Sequence, residues 1–460
     1  MGQKQQSTGD PTTEPKKRRR VGFSNVDSGI EANECITIYM VSSREQVGAS
    51  DSFCISPVDL NGFFDEAGKI YGYQGLKITI WISSLTFHAY ADITYESTSD
   101  GGKGITDLKN ALQRIFAETL VENKDDFLRS FSAESHLIRS IVSTGEIFHH
   151  KASNGYIGES HLGEPTSDMK VFRMAIGNTG AGHLYSRLIP LVLLLIDGSN
   201  PIDVADPGWE LFVLIHEKND EQGDIQHRLL GFTAVYRFYH YPDKTRLRLS
   251  QILVLPPYQH KGYGRQLVEV VNKVAISEDV YDFTVEEPLD HFQHVRTCVD
   301  IQRLLAFDAI QDAINSAVSN LKQGKLSKRA HVPRFIPPST AIDAVRKTLK
   351  INRKQFLQCW EVLIYLGLDS EDKGMEDFAT IISNRVKADI LGKDSGSGGK
   401  QVIEVPSYYN PEMSFVMFRS GSEGSIQMDE NQTNQKEQLQ QLVDERLKEI
   451  KLIAQKLRPV

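Results

Sequence analysis

The stretch Leu249-Ser250-Gln251-Ile252-Leu253-Val254-Leu255-Pro256-Pro257-Tyr258-Gln259-His260-Lys261-Gly262-Tyr263-Gly264 decides the reading of this chain. Its first seven residues form a mostly apolar run of strand length. Pro256-Pro257 stop the ladder there, because proline has no N–H to donate. After the glycine-spaced loop, Leu267, Val270, Val271, Val274 and Ala275 recur at helical spacing. A strand that ends in such a loop and leads into a helix makes a site for a pyrophosphate. Backbone N–H groups point inward, the helix N-terminus adds partial positive charge, and glycines remove side chains that would block approach. The spacing Q-x-x-G-x-G is neither the P-loop nor the Rossmann fingerprint. Alone it is a short pattern whose glycines could merely permit a turn. The flanking strand and helix favour the anion cradle.

Working outward, Gly231 to Phe238 and Arg248 to Leu255 read as the two strands of a hairpin, with Pro242-Asp243-Lys244-Thr245 as turn chemistry. A strand that splays from its neighbour at the proline stop leaves backbone groups that could pair with the amides of a pantetheine arm. The local reading is therefore an acyl-CoA cradle. A lysine ammonium, with a pKa of about 10.4, is neutral in only about one molecule per thousand near physiological pH. Acyl transfer to lysine thus needs a base, and a carboxylate at a neighbouring strand end could act directly or through water. A strand from Val280 to Val285 ends in Glu286-Glu287-Pro288, and alternation predicts that one of the two glutamates faces the cleft. Without the glycine loop they would read as a solvated pair. Asp197 closes the apolar run Leu191 to Ile196 and is a third candidate, although on these residues alone a helix C-terminal or turn residue is the favoured reading. His291 and His294 stand at i, i+3 with no third ligand and read as surface residues; no metal site is expected.

At 460 residues the chain has room for two or three domains. The four cysteines, Cys35, Cys54, Cys298 and Cys359, form no C-x-x-C pair, so neither a zinc site nor a disulfide framework is indicated. A reducing compartment is the natural reading. The net charge is −8, but the first thirty residues carry six basic and three acidic side chains, which leaves −11 for the rest. An acidic body does not suit nucleic acid. It suits a basic substrate. No apolar run is long enough for a membrane span.

The organisation expected is a disordered basic tail over residues 1–32, an N-terminal α/β domain over 33–168, and an α/β core over 169–305. A helical region over 306–392, linkers over 393–436 and an amphipathic helix over 437–460 complete it. The run Lys16-Lys17-Arg18-Arg19-Arg20 reads as a nuclear localisation signal. Residues 143–168 read as a loop or insert. Val443, Leu447, Ile450, Ala454 and Leu457 repeat at 4-3-4-3 spacing, which fits either a short coiled-coil seam or a helix docked on the body.

Tyr241-Pro242-Asp243-Lys244-Thr245-Arg246, Ser250 to Leu255, Gln259-x-x-Gly262-x-Gly264 and Thr284-Val285-Glu286-Glu287-Pro288 together resemble the catalytic subunits of type B histone acetyltransferases, within the GNAT superfamily. Tyr71-Gly72-Tyr73-Gln74-Gly75-Leu76-Lys77-Ile78 and Leu349-Lys350-Ile351-Asn352 extend the likeness over most of residues 35–390, and the long tail resembles plant members. The resemblance implies an α/β (α+β) fold: a GNAT acetyltransferase core with an N-terminal α/β domain and a C-terminal helical region. It implies direct transfer from acetyl-CoA to lysines in the N-terminal tail of newly made, non-nucleosomal histone H-four. The tail would lie between the first two parts, with a WD40-repeat histone-binding subunit as partner and residence in nucleus and cytoplasm.

By position, the resemblance makes Ile252, Leu253 and Val254 the backbone contacts to acetyl-CoA, and Gln259, His260, Lys261, Gly262, Tyr263, Gly264 and Arg265 the pyrophosphate loop. It makes Glu286 the principal base, with Glu287 and Asp197 as further acids. Tyr236, Arg237 and Phe238 would grip the histone tail, with Asp65 and Glu66 near a second tail-binding stretch. Four positions depart from the family pattern: Glu287 stands for the usual Asp, Asp197 for the usual Glu, Leu289 for a small polar residue, and Thr297 for a common Asp. An acetyltransferase for another amine and a catalytically weak histone-escort protein are the rival readings.

Overall fold

The computed structural model describes residues 28–64, 68–149, 169–219, 225–323, 335–368, 374–394 and 432–457. The basic run at 16–20 and the candidates Asp65 and Glu66 lie outside them. The chain divides into two compact units, 1–133 with 193–197, and 134–192 with 198–460.

The first unit is built on a mixed five-stranded sheet, in the spatial order Phe53–Ile55, Ile36–Val41, Lys77–Ser83, Ala89–Thr94, Leu120–Val121. In its central strand Ile78, Ile80 and Ile82 are buried at every second position. Asp107 accepts from Asn110 N–H and caps the helix Leu108–Phe116. A 3₁₀ turn at Ala117–Thr119 and a short strand, Leu120–Val121, follow that helix.

The second unit holds a six-stranded sheet in sequence order: β1 (Glu146–His149), β2 (Met169–Ala175), β3 (Trp209–Asn219), β4 (Ile225–His240), β5 (Lys244–Val254) and β6 (Phe283–Val285). Every pair is antiparallel except β5 with β6. The expected boundary at 168 therefore moves to 133/134. Part of the supposed insert is β1, and its register with β2 ties it to this sheet.

Helix α1 (Thr179–Leu195) sends Tyr185 Oη to Gln251 Oε1 at 2.9 Å. Helix α2 (Tyr263–Ser277) buries Leu267, Val268, Val270, Val271, Val274 and Ala275 against Val235, Leu247 and Leu249 of the sheet. Helix α3 (Asp290–Leu305) follows β6.

The helical region comprises Gln311–Lys322, Ser339–Leu349, α4 (Arg353–Leu366), α5 (Gly374–Asp394) and α6 (Gln432–Leu457). Together with residues of α3 its helices share one core around Phe356, Trp360, Phe378 and Ile382. Helix α6 contributes Ile450, Ile453, Ala454 and Leu457 to that core, so its seam is docked within the chain. Lys350 turns through a positive φ of 59°, and Asn352 then caps α4 by accepting from Gln355 N–H at 2.9 Å. Between these two, Ile351 bridges to Phe283 on the outer edge of β6. Phe283 N–H donates to Lys350 C=O at 2.7 Å, and Asn352 Nδ2 donates to Phe283 C=O at 3.1 Å.

Candidate active site

The parallel pairing of β5 with β6 runs only to Leu249 opposite Val285. One further bond, Glu286 N–H to Leu249 C=O at 2.9 Å, closes the ladder. β6 then turns away at Glu287, whose φ is +35°, while β5 continues to Val254. Leu255 N–H donates to Leu230 C=O at 2.9 Å. Alternate residues of an antiparallel strand bond to the same neighbour, so Leu253 pairs toward β4. The backbone groups of Ile252 and Val254 are directed to the opposite edge, past the end of β6. Of the three expected backbone contacts, Ile252 and Val254 thus share that edge, and Leu253 is buried.

A β-bulge shapes the same stretch. Gln251 stands opposite Ala234, yet Leu249 stands opposite Val235, so Ser250 is an extra residue. Leu249 stays in the core shared with α2. Ser250 and Gln251 consequently both project from the other face. Ser250 Oγ donates to Glu286 Oε2 at 2.6 Å. Gln251 Nε2 donates to Ser199 Oγ and to Asn200 C=O, at 3.0 and 2.7 Å. Glu286 and Glu287 are both exposed.

Beyond Pro256–Tyr258, a 3₁₀ turn, the loop carries two left-handed residues, His260 at φ +63° and Gly262 at φ +84°. Gly262 is the N-cap of α2 and offers no side-chain cap, so the helix start is left to other acceptors. A Cβ at Gly264 would meet only Val254 Cγ2, at 3.7 Å, so protein packing does not demand glycine there, whereas close approach by a ligand would. Gln259 Nε2 donates to Val254 C=O at 3.0 Å and folds the loop back onto the strand end. Arg265 Nε donates to Glu269 at 2.7 Å, and His260 and Lys261 are exposed. An uncapped helix N-terminus, a glycine in left-handed conformation and an open strand edge fit the pyrophosphate and pantetheine arm of an acyl-CoA.

Tyr236 and Phe238 lie on the face of the sheet that carries Glu286. Their rings meet at 4.5 Å between centroids, Trp209 meets Tyr236 at 4.8 Å, and the Arg248 guanidinium lies 4.6 Å over Phe238. A hydrogen bond to Asp206, with burial second, pushes the Tyr236 phenol above its usual pKa. Arg237 is on the opposite face. Its guanidinium pairs with Glu210 at 2.9 Å and with Glu278, and Arg173 joins both carboxylates. Burial works against the charge, but the hydrogen bonds to Glu210 and then Glu278 outweigh it and raise the Arg237 pKa. The expected trio is therefore two aromatic rings facing the site and one structural arginine.

Asp197 is exposed in the turn after α1 and belongs to the first unit, the two glutamates to the second. His291 is exposed. His294 is half-buried and takes a contact from Lys456 Nζ of α6 at 2.9 Å. Thr297 is buried and accepts from Gln293 Nε2 at 3.1 Å. Leu289 is the N-cap of α3 and gives no side-chain cap. Sequence reasoning assigned no role to Asp206, Trp209 or Ser250. Among the described residues no cluster of His, Cys, Asp and Glu could hold a metal ion, and no helix is long and apolar enough to cross a membrane.

Comparison with known proteins agrees with this geometry. The family model described as the histone acetyl transferase HAT1 N-terminus matches residues 28–197, and that of the acetyltransferase (GNAT) family matches residues 200–292. The histone acetyltransferase type B catalytic subunit of Arabidopsis thaliana is 59% identical over 461 residues, covering 99% of this chain and 98% of the relative. That of Zea mays is 46% identical, with 99% and 96% covered. A Dictyostelium discoideum protein of the same description is 27% identical over 72% of this chain and 66% of its own length. The chain belongs to the type B histone acetyltransferase catalytic subunits and is a histone acetyltransferase of the GNAT family.

Proposed function

We propose that this enzyme transfers acetyl from acetyl-CoA to lysines in the N-terminal tail of newly synthesised, non-nucleosomal histone H-four, by direct attack in a ternary complex. The observation that carries the reading is Glu286. It sits where β6 parts from β5, fastened through its backbone to Leu249 and through its carboxylate to Ser250. On the same face, Tyr236, Phe238 and Trp209 form an aromatic wall suited to the aliphatic stem of a lysine.

In this mechanism Glu286 takes the proton from the lysine ammonium, with Glu287 assisting. The lysine nitrogen then forms the amide bond as the thioester C–S bond breaks, and the thiol leaves with a proton. Backbone N–H groups on the Ile252–Val254 edge polarise the thioester carbonyl. The loop from Gln259 to Arg265 holds the pyrophosphate. A WD40-repeat histone-binding subunit is the expected partner, and the cationic run at 16–20 supports passage between cytoplasm and nucleus.

Mass spectrometry of free histones incubated with the enzyme and acetyl-CoA reads activity and lysine choice together. Acetylation confined to another histone, or seen only on small amines, would overturn the substrate assignment. Glu286→Gln should lower kcat on a histone H-four peptide by about 100-fold or more. Turnover within twofold of wild type at saturating acetyl-CoA would remove Glu286 as the base.

A further inference from the structure

We propose that Ser250 is the positioning residue for the catalytic carboxylate, a role that rests on the reading of Glu286 as the base. An exposed glutamate at a strand end has three rotatable bonds and would sample many orientations. Here it does not hang free. The C=O of Leu249 holds its N–H, and the hydroxyl of the next residue, Ser250, donates to Oε2 at 2.6 Å. Two consecutive residues of β5 thus grip the residue that follows β6 at both ends.

The bulge makes this grip possible. Leu249 must face the core beneath α2, where it is 1% exposed. In a regular strand Gln251 would then point to that core as well, two residues on. The extra residue opposite Val235 resets the alternation, so that Ser250 and Gln251 both reach the face away from α2. Gln251 anchors the strand to Tyr185, Ser199 and Asn200. Ser250 is thereby left for Glu286.

A serine hydroxyl has one proton to give. Given to Oε2, it leaves Oε1 as the acceptor for the substrate ammonium. The bond therefore selects which carboxylate oxygen works as the base, and it fixes that oxygen's direction relative to the Ile252–Val254 edge. Hydrogen bonds to charged groups of this kind are the stronger ones.

The test is a set of four variants assayed with histone H-four peptide: Ser250→Ala, Ser250→Thr, Glu286→Gln and the Ser250→Ala/Glu286→Gln pair. Ser250→Ala should lower kcat about tenfold, with KM for peptide and for acetyl-CoA within twofold, since loss of one charge-assisted bond is of that size. Ser250→Thr keeps the hydroxyl and should recover most of kcat. The double variant should be no slower than Glu286→Gln, because the serine acts only through that carboxylate. A merely structural serine would raise KM or lower thermal stability in Ser250→Ala, would not be rescued by threonine, and would add its loss to that of Glu286→Gln. Any of those results overturns the proposal. Wild-type kcat in Ser250→Ala beside a disabled Glu286→Gln overturns the serine's role alone. Wild-type kcat in Glu286→Gln overturns the base assignment, and the serine's role with it.

Discussion

Gly262 takes a φ of +84° at the N-cap of α2, and no heavy atom lies within 4 Å of the place a Cβ would occupy. The need for glycine is therefore conformational and not steric. An L-residue in the left-handed region costs roughly 1–2 kcal/mol. Gly262→Ala should lower the melting temperature by a few degrees and raise KM for acetyl-CoA, with kcat at saturation little changed; calorimetry and initial rates check both. The glycine loop and the paired glutamates are legible in the sequence because their signals are local: proline stop, glycine spacing, helical periodicity. Arg237 and Ser250 are not legible. The face of Arg237 is set by Glu210 and by Glu278, 41 residues further on. The outward turn of Ser250 is set by a register slip against β4 that no local pattern records.

Helix α6 shows the same limit among the elements. Its apolar repeat fits a dimer seam or an internal dock equally, and what decides is a charge at a distance. Glu361 of α4, 3% exposed, accepts from Arg446 Nε at 3.0 Å and Nη2 at 2.7 Å, and also pairs with Arg385 of α5. A buried carboxylate that lost those guanidinium groups would be costly to keep charged, so the helix is committed to this chain.

A second contact of α6 makes its docking pH-dependent. Burial lowers the His294 pKa below 6.5, and the charge of Lys456 lowers it further, with Glu449 opposing. A histidine with a depressed folded pKa contributes stability above 6.5 and loses it as pH falls below that value, because the unfolded chain takes up the proton first. Thermal melts should therefore show stability falling on the acid side of pH 6.5, and His294→Asn should flatten that part of the profile. An unchanged slope in the variant would show that other groups govern it.

Across the whole molecule the charge is uneven, −8 in total and more acidic outside the first thirty residues. Long-range attraction of a basic histone is screened over about 8 Å at physiological ionic strength. KM for intact histone should rise severalfold between low and high salt, while kcat at saturating histone should stay nearly constant; steady-state rates over a salt series check this. The mixed α/β core and the helical region are legible from periodicity alone. The unit boundary is not, because it depends on β1 pairing across residues 150–168 with β2.

The three-residue strand β6 is flanked by β5 on one side and by Ile351 on the other. The segment from Lys350 to Asn352 is thus a splint on the strand that presents Glu286, although it lies more than sixty positions later in the chain. Chemistry and scaffold do not divide where the acetyltransferase motif ends. A fragment cut to residues 200–292 would keep the cradle and both glutamates but leave their strand braced on one flank only. The smallest piece competent for catalysis must therefore reach into the helical region.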